Sequence, residues 1–485
     1  MPLRIEFPRT SVPLSLWVKG RGPQGVEQIA IQAEDEYMGR ELRDSLPPKR
    51  RSPVVNVVAT YGTNVAGAVV GLVNVLIVSR ALGPEGRGSV AFVLTMAMFI
   101  SQLSNLGVQS AVANFGGTNR RLLPALAGSS VALSLLLGGL ALGVVAGLVE
   151  LFPAVGGHAD AGTRWIALGC VPILILAYYL FVLAQAEYRF GVMNVVLLLG
   201  PIASATTNGI LAATGELSVR GAVLAWAGGQ TLGLLVLVWY VQRRLAGFGR
   251  ADWRLARGMV GFGVKTHAGQ IGMVGNYRLD QWLLGSISGA RALGLYSVAV
   301  AWAEVLFFLP NALATVQRPD LVRADRSEAS RQASIGFRAG ALLTLVSVVV
   351  LLGAAPFLCV TVFGSDFHGS IRDLRILALG AFGIAAIKQL GTALTSQNKP
   401  LLETAGILVA FAVTAVTDVL LIPSHADLGA SIASTVSYSA GGLAMAAIFV
   451  HALGGRLSDL LPRGSEVRWF WAAVRARARR APAAT

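Results

Sequence analysis

Long apolar stretches recur from Val54 almost to the end of the chain. A helix needs about 20 residues to cross the hydrocarbon core of a bilayer, and many of these stretches reach that length. Because lipid offers no partner to a free backbone N–H or C=O group, such stretches must fold as helices that bond internally. The sequence therefore predicts an all-α polytopic membrane protein.

The composition supports this class. Only 13% of the residues are charged, against about 25% in a typical soluble domain. We divide the chain into twelve predicted transmembrane helices, each near the length that a bilayer requires. They cover residues 54–79, 89–112, 122–149, 165–186, 192–214, 221–242, 258–285, 293–316, 337–363, 374–396, 401–422 and 428–453.

The positions of the basic residues predict the orientation. With the N-terminus inside, 26 of the 40 lysines and arginines fall in cytoplasmic segments and 7 in the opposite loops. The positive-inside rule then places both termini in the cytoplasm. The net charge of +15 follows from this topology and from contact with anionic membrane lipids, so it requires no nucleic-acid partner.

The two ends of the chain differ from the rest. Residues 1–53 are rich in proline and charge and contain no apolar signal-peptide core. They are predicted to form a disordered cytoplasmic extension, or alternatively translation starts at Met38. Residues 454–485 form a basic tail whose RWFWAAVRARARR segment is expected to lie on the inner leaflet.

An internal repeat organises the apolar region. A shift of 206 residues superposes Gly83 on Gly289 and Gly88 on Gly294, and GAVLA at 221–225 matches GASIA at 429–433 with a similar shift. Chance matching among 56 glycines is the alternative. The repeat predicts two parallel six-helix lobes, 54–242 and 258–453, around a central cavity and joined by the basic linker 243–257.

The preceding helices of the two copies also match at polar positions. The pairs are Thr60 with Thr266, Asn64 with Gln270, and Asn74 with Asp280. Residues spaced by three or four lie on one helical face, which lines a cavity or packs on a neighbouring helix. In the first helix this face contains Asn56, Thr60, Asn64, Gly67, Gly71 and Asn74.

The seventh helix and two later helices contain charged residues within the predicted membrane. Ionisable groups are costly there and usually face a cavity or one another. We expect Lys265, Arg278 and Lys388 to face the cavity; the alternatives are snorkelling for the two lysines and, for Arg278, a pair with Asp280. Asp280, Glu304 and Asp418 are candidates for coupling transport to H+ or Na+, or else hydrogen-bonded packing residues.

The sequence shows no pattern typical of an enzyme. The five histidines are scattered, and Cys170 and Cys359 lie in apolar surroundings. No cluster has metal-ligand spacing, and no cofactor motif follows a strand. The short outward loops also argue against a membrane glycan polymerase or ligase.

Several motifs together resemble the polysaccharide flippases of the multidrug/oligosaccharidyl-lipid/polysaccharide exporter superfamily. SRALGPEGRGSVAF with LSNLGVQSAVANFGG resembles the opening helices of that family, and LDQWLLGSISGARALGLYSVAVAW resembles the start of its second lobe. VFGSDFHGSIRDLRILALGAF, LTSQNKPLLETAGI and IPSHADLGASIAST follow in the order of its last four helices. The resemblance covers about Val54 to Leu453.

The resemblance implies an alternating-access flippase in a bacterial cytoplasmic membrane. Such a flippase would move a polyprenyl-pyrophosphate-linked oligosaccharide for surface polysaccharide synthesis. Its expected partners are a glycan polymerase and other assembly proteins. Lys265, Arg278 and Lys388 would then stabilise the diphosphate, and Asn64, Asn74 and Gln270 would contact sugar hydroxyls. Related lipid II flippases have a sodium site among late helices, where Thr414, Asp418 and Ser434 are polar. The alternatives are a multidrug or organic-cation antiporter of the same superfamily and a scaffold for glycan synthesis.

Overall fold

The computed structural model describes residues 53–157, 159–245 and 247–461. The predicted N-terminal extension, the alternative start at Met38 and most of the basic tail lie outside the described residues.

Fourteen α-helices make up nearly all of this part of the chain. They are α1 Pro53–Ser104, α2 Val108–Thr118, α3 Leu123–Leu151, α4 Ala161–Gly169, α5 Val171–Ala186, α6 Phe190–Ala213, α7 Val219–Arg244, α8 Trp253–Ile287, α9 Ala290–Ala303, α10 Val305–Arg323, α11 Arg326–Pro356, α12 Ser370–Leu379, α13 Ala381–Ser396 and α14 Pro400–Leu453. Short 3-10 turns lie at Arg120–Leu122, Pro153–Gly156, Ser365–Phe367 and Leu457–Leu460, and a π-helical turn extends α11 at Phe357–Thr361. The described residues form no strand, so the predicted all-α class is confirmed.

Among the described residues, nine helical segments are long and apolar enough to cross a membrane. The two longest helices, α1 and α14, each contain a residue with non-helical backbone angles, Gly83 and Ala426, where the helix bends into two arms. Helix α8 is outside the nine; it contains Lys265, Arg278 and Asp280. The polytopic membrane fold is therefore confirmed, while the count of twelve stays a prediction.

The helices pack in two groups that follow the chain. In the first group α6 packs on α7, α5 packs on α2, α3 and α7, and α4 packs on α7. In the second, α14 packs on α8 and α13, while α10 and α11 pack on each other and on α13. Helices α2 and α3 also contact α8, so α8 joins the two groups.

The two hinges that the 206-residue shift aligns have the same backbone geometry. Gly83 has φ of 65° and Gly289 has φ of 88°. A residue with a Cβ atom rarely adopts positive φ, so glycine suits both positions. At each hinge the chain passes from a long helix, α1 or α8, into a second helical segment that starts on the other side of the glycine.

Candidate functional site

Helix α8 starts from a well-defined cap. Asp252 at its N-cap accepts hydrogen bonds from the backbone N–H groups of Arg254 at 2.8 Å and Leu255 at 3.3 Å. These bonds satisfy two of the N–H groups that a helix start leaves unpaired. The cap therefore fixes the start of a helix whose following turns place polar side chains between the two groups of helices.

The most buried polar group of α8 is Asp280, which is 2% exposed. Its Oδ1 atom accepts the backbone N–H of Gln281 at 2.6 Å, and its Oδ2 atom accepts the hydroxyl groups of Tyr296 and, at 3.0 Å, of Ser434. The Tyr296 and Ser434 hydroxyl oxygens lie 2.9 Å apart. Helices α8, α9 and α14 thus meet at this carboxylate.

A second carboxylate lies nearby on α14. Asp418 is fully buried, and neither of its carboxylate oxygens has a hydrogen-bond partner among the described residues. It lies on the side of α14 that faces Asp280, because Thr414 and Asn276, each four residues before one of the two aspartates, bond to each other. One turn earlier, the Thr414 hydroxyl donates to Asn276 Oδ1 at 2.5 Å.

We refer to Asn276, Asp280, Thr414, Asp418 and Ser434 as the acidic pocket. It provides carboxylate, amide and hydroxyl oxygens. Two carboxylates that are both charged and lack a basic partner are strongly disfavoured in a buried site. The arrangement therefore favours uptake of a proton or a small hard cation, whose preferred ligands are oxygen atoms.

Glu304 lies outside this pocket. Its Oε1 atom is 3.3 Å from Arg278 Nη1, and both side chains are partly exposed, at 39% and 32%. Arg278 thus forms its direct ion pair with Glu304. The alternative from the sequence, a pair with Asp280, is not observed among the described residues.

Lys388 lies against an aromatic cluster formed by Tyr277, Phe307 and Tyr438. Its Nζ atom is 5.8 Å from the centroid of the Tyr277 ring, within the range of a cation–π contact. The three rings lie 6.0–6.2 Å apart. The partly buried Lys388 therefore contacts α8 at Tyr277, the residue before Arg278 of the Arg278–Glu304 pair.

The other predicted site residues lie elsewhere. Lys265 is exposed, and 13 residues of helix, about 20 Å, separate it from Arg278. Asn64 is exposed, Asn74 Oδ1 accepts the Asn208 amide at 2.8 Å, and Gln270 accepts the amide of Gln109. The structure brings Asp280 and Asp418 together, and it does not gather the three cations at one point.

Sequence reasoning did not identify Asn276, Tyr296 or the aromatic cluster as part of the site. Asn276 is four residues before Asp280, so helical spacing could have placed it on the same face. Tyr296 lies in an apolar segment, YSVAVAW, and no sequence pattern singles it out. Its partners come from α8 and α14, which only the tertiary fold brings together.

The fold is shared with known transporters. The lipid II flippase MurJ in an inward closed conformation matches with a TM-score of 0.68 at 12% identity, over 84% of this chain and 89% of that chain. A multidrug resistance MATE family transporter of the MOP superfamily, in an inward-facing conformation, matches with a TM-score of 0.63 at 14% identity, over 82% and 98%. At such low identities these likenesses concern the fold alone.

A third match is a MOP superfamily transporter from Pyrococcus furiosus whose title describes a binding pocket of reverse polarity, with a TM-score of 0.56 at 15% identity over 82% and 95% of the two chains. No curated protein matches the chain. Residues 77–372 match the family described as "Polysaccharide biosynthesis protein". This match covers more than half of the sequence, and the chain therefore belongs to the polysaccharide biosynthesis protein family.

Proposed function

We propose that the protein is a flippase that moves a polyprenyl-pyrophosphate-linked oligosaccharide from the inner to the outer leaflet of a bacterial cytoplasmic membrane. One observation carries the proposal: a chain of the polysaccharide biosynthesis family has the fold of a lipid II flippase. A lipid-linked glycan is a substrate that fits both the family and the fold. The protein acts as a transporter rather than as an enzyme.

The proposed organisation is two lobes, 54–242 and 258–453, joined by the basic linker 243–257, with both termini in the cytoplasm. Alternating access then consists of rocking of one lobe against the other. Helix α8 is suited to respond to this motion, because it packs on α14 of its own lobe and on α2 and α3 of the other lobe.

The diphosphate of the substrate requires positive charge within the membrane. Lys388 is the best placed of the three cations, since the Tyr277 ring is its observed contact and a phosphate could replace that contact at little cost. Arg278 would have to exchange Glu304 for the diphosphate. Lys265, which is exposed, would meet the headgroup at the linker end of α8.

Sugar hydroxyls both donate and accept hydrogen bonds, so amide side chains suit them. Asn64 is exposed and thus able to meet a substrate directly. Asn74 and Gln270 already bond to Asn208 and Gln109, and they would have to exchange these partners.

We further propose that the acidic pocket binds the coupling ion, H+ or Na+. Asp418 supports this role because its two buried carboxylate oxygens have no partner among the described residues. The hydroxyl and amide groups of Thr414, Asn276 and Ser434 complete an oxygen-rich site. A cation bound there would cancel the repulsion between Asp280 and Asp418.

The test is mass spectrometry of polyprenyl-linked lipids from cells with and without the protein. Loss of the protein is expected to cause accumulation of a complete lipid-linked oligosaccharide together with loss of surface glycan. An unchanged lipid profile, with altered sensitivity to cationic drugs, would instead favour an antiporter, which the MATE-like fold also suits.

A further inference from the structure

The two hinges that the repeat relates contact each other across the lobes. A methyl group built on Gly88 would lie 1.7 Å from the carbonyl oxygen of Ala290, and one built on Gly294 would lie 1.8 Å from that of Pro84. The 206-residue shift pairs Gly88 with Gly294 and Pro84 with Ala290. The contact of Gly88 with Ala290 is therefore matched by an equivalent contact of Gly294 with Pro84. We refer to this reciprocal contact as the glycine seam.

Two side chains near the seam also form hydrogen bonds from a hinge helix of one lobe to the other lobe. Arg80, near the hinge of α1, donates to the carbonyl oxygens of Val362 and Thr361, each at 2.7 Å. Trp282, near the end of α8, donates to the carbonyl oxygen of Val155 at 3.4 Å. Each helix thus reaches the helical turn at the end of a long helix of the other lobe, the π-helical turn after α11 or the 3-10 turn after α3.

The seam is connected to the acidic pocket through one short helix. Gly294 and Tyr296 both lie on α9, two residues apart. Gly294 contacts the first lobe, while the Tyr296 hydroxyl bonds to Asp280 and Ser434 of the second. Helix α9 is therefore held at one point by the seam and at a neighbouring point by the pocket.

We infer that the glycine seam is a gate that closes the hinge end of the molecule, and that Tyr296 transmits the state of the acidic pocket to it. The coupling role rests on the proposed function of that pocket. Backbones approach this closely only at residues without a Cβ atom. The closed state therefore depends on glycine at both positions, and any side chain there would favour separation of the lobes.

The gate is tested by distance measurements between two spin labels in the full-length protein in lipid nanodiscs. Exposed Glu85 and Asp366 are replaced by labelled cysteines on a background without Cys170 and Cys359. We expect mainly the short distance in the parent protein, and a shift to longer distances in Gly294→Ala. The matched control is Gly353→Ala, since a methyl group built on Gly353 meets nothing within 4 Å. Equal distance distributions in the two variants would overturn the gate.

Two further variants cover the case in which Gly294→Ala fails to fold. Arg80→Ala removes two hydrogen bonds at the surface, and it is expected to increase the long-distance population to a smaller extent. Tyr296→Phe removes only the hydroxyl group that reaches the pocket, and it should also widen the distribution. A Tyr296→Phe distribution identical to that of the parent would overturn the link to the pocket.

These measurements require no substrate, so they separate the gate from the proposed function. If the label distances respond as expected but no lipid-linked oligosaccharide accumulates in cells lacking the protein, the flippase proposal fails and the gate stands. If the oligosaccharide accumulates and the distances do not respond, the gate fails and the flippase proposal stands.

Discussion

A shift of 206 residues aligns helix α8 with the first arm of α1, yet the surroundings of the two helices differ. Between residues 59 and 77 of α1 no side chain is fully buried. In the corresponding part of α8, His267, Asn276 and Asp280 are at most 5% exposed. Both helices end at a hinge glycine, Gly83 or Gly289, while their polarity and packing differ.

The difference indicates that the two helices have different roles. Helix α8 packs on both groups of helices and contains the ionisable residues, so it is suited to sensing an ion and passing on its effect. The first arm of α1 makes fewer buried contacts, and segments with few buried contacts separate from their neighbours more easily. Under the proposed function, its exposed Asn64 and Tyr61 would meet the substrate.

The largest effect on glycan export is expected from neutralising the acidic pocket of α8 and α14. Asp418→Asn and Asp280→Asn should each reduce glycan export by at least about tenfold, because losing about 1.4 kcal/mol of cation binding already lowers occupancy tenfold. Thermal stability should stay equal or rise for Asp418→Asn, since an unpaired buried charge is removed. Export by either variant at the parent level would contradict an ion-coupling role.

The control for these substitutions is Asp366→Asn, which changes an exposed carboxylate at the hinge end. Export and melting temperature should both match those of the parent protein. Surface glycan and the amount of each variant in the membrane are measured in the same cells, so that a loss of protein is not taken for a loss of transport.

A second prediction concerns packing along the two helices. A methyl group on Gly263 of α8 would lie 2.5 Å from the carbonyl oxygen of Leu106, whereas one on Gly71 of α1 meets nothing within 4 Å. Gly263→Ala should therefore destabilise the protein by about 1–3 kcal/mol through overpacking. Gly71→Ala should be neutral or slightly stabilising, because alanine favours helix over glycine. Melting temperatures in one detergent compare the two, and equal values would remove the packing contrast.

A third prediction addresses the partly exposed ion pair of α8. The proposed transport cavity would keep this pair in contact with water, so removing it by Glu304→Gln should cost less than about 1 kcal/mol of stability. Arg278→Gln should have an equally small effect on stability but a larger effect on export, if the guanidinium group contacts the diphosphate. Equal export by the two variants would assign Arg278 a packing role alone.

The smallest effect is expected at two helix caps outside the membrane, Asp160 in the first lobe and Asp325 in the second. The backbone N–H of Glu328 and the hydroxyl of Ser327 hold the pKa of Asp325 below its ordinary value, and the backbone N–H and hydroxyl of Thr163 do the same for Asp160. A lowered pKa means that the stabilisation is present above the unfolded value of 3.8 and is lost as the pH falls below it. Asp325→Asn should thus be slightly less stable than the parent at pH 7, and the difference in melting temperature should shrink as the pH falls from 3.8 through the lowered pKa of the folded state; a difference that stays constant at low pH would contradict this.

Much of the fold could be predicted from the sequence, because lipid imposes helical backbone and span length on apolar stretches. The 206-residue shift aligned Gly83 with Gly289, and both have positive φ. The breaks at Gly107, Cys170 and Gly380, where single predicted spans are divided into shorter helices, carry no comparable signal. A helix can end inside an apolar stretch when tertiary packing satisfies the freed backbone groups.

The site was less predictable. Asp418 and Thr414 stand out because polarity within an apolar stretch is rare, and helical spacing places them on one face. Their proximity to Asp280 depends on how α8 packs on α14, which no local pattern encodes. Similarly, the partner of Arg278 is Glu304, 26 residues away, although Asp280 lies closer in sequence.

Ion-coupled lipid translocation can be measured with the purified protein in vesicles. A lipid-linked oligosaccharide is placed in one leaflet, and its appearance in the other is followed with H+ or Na+ gradients present and absent. Translocation by the parent protein is expected to depend on one of these cations, and it should be lost in Asp418→Asn. Translocation that is absent from the parent protein, or unaffected by both the cations and the substitution, would contradict it.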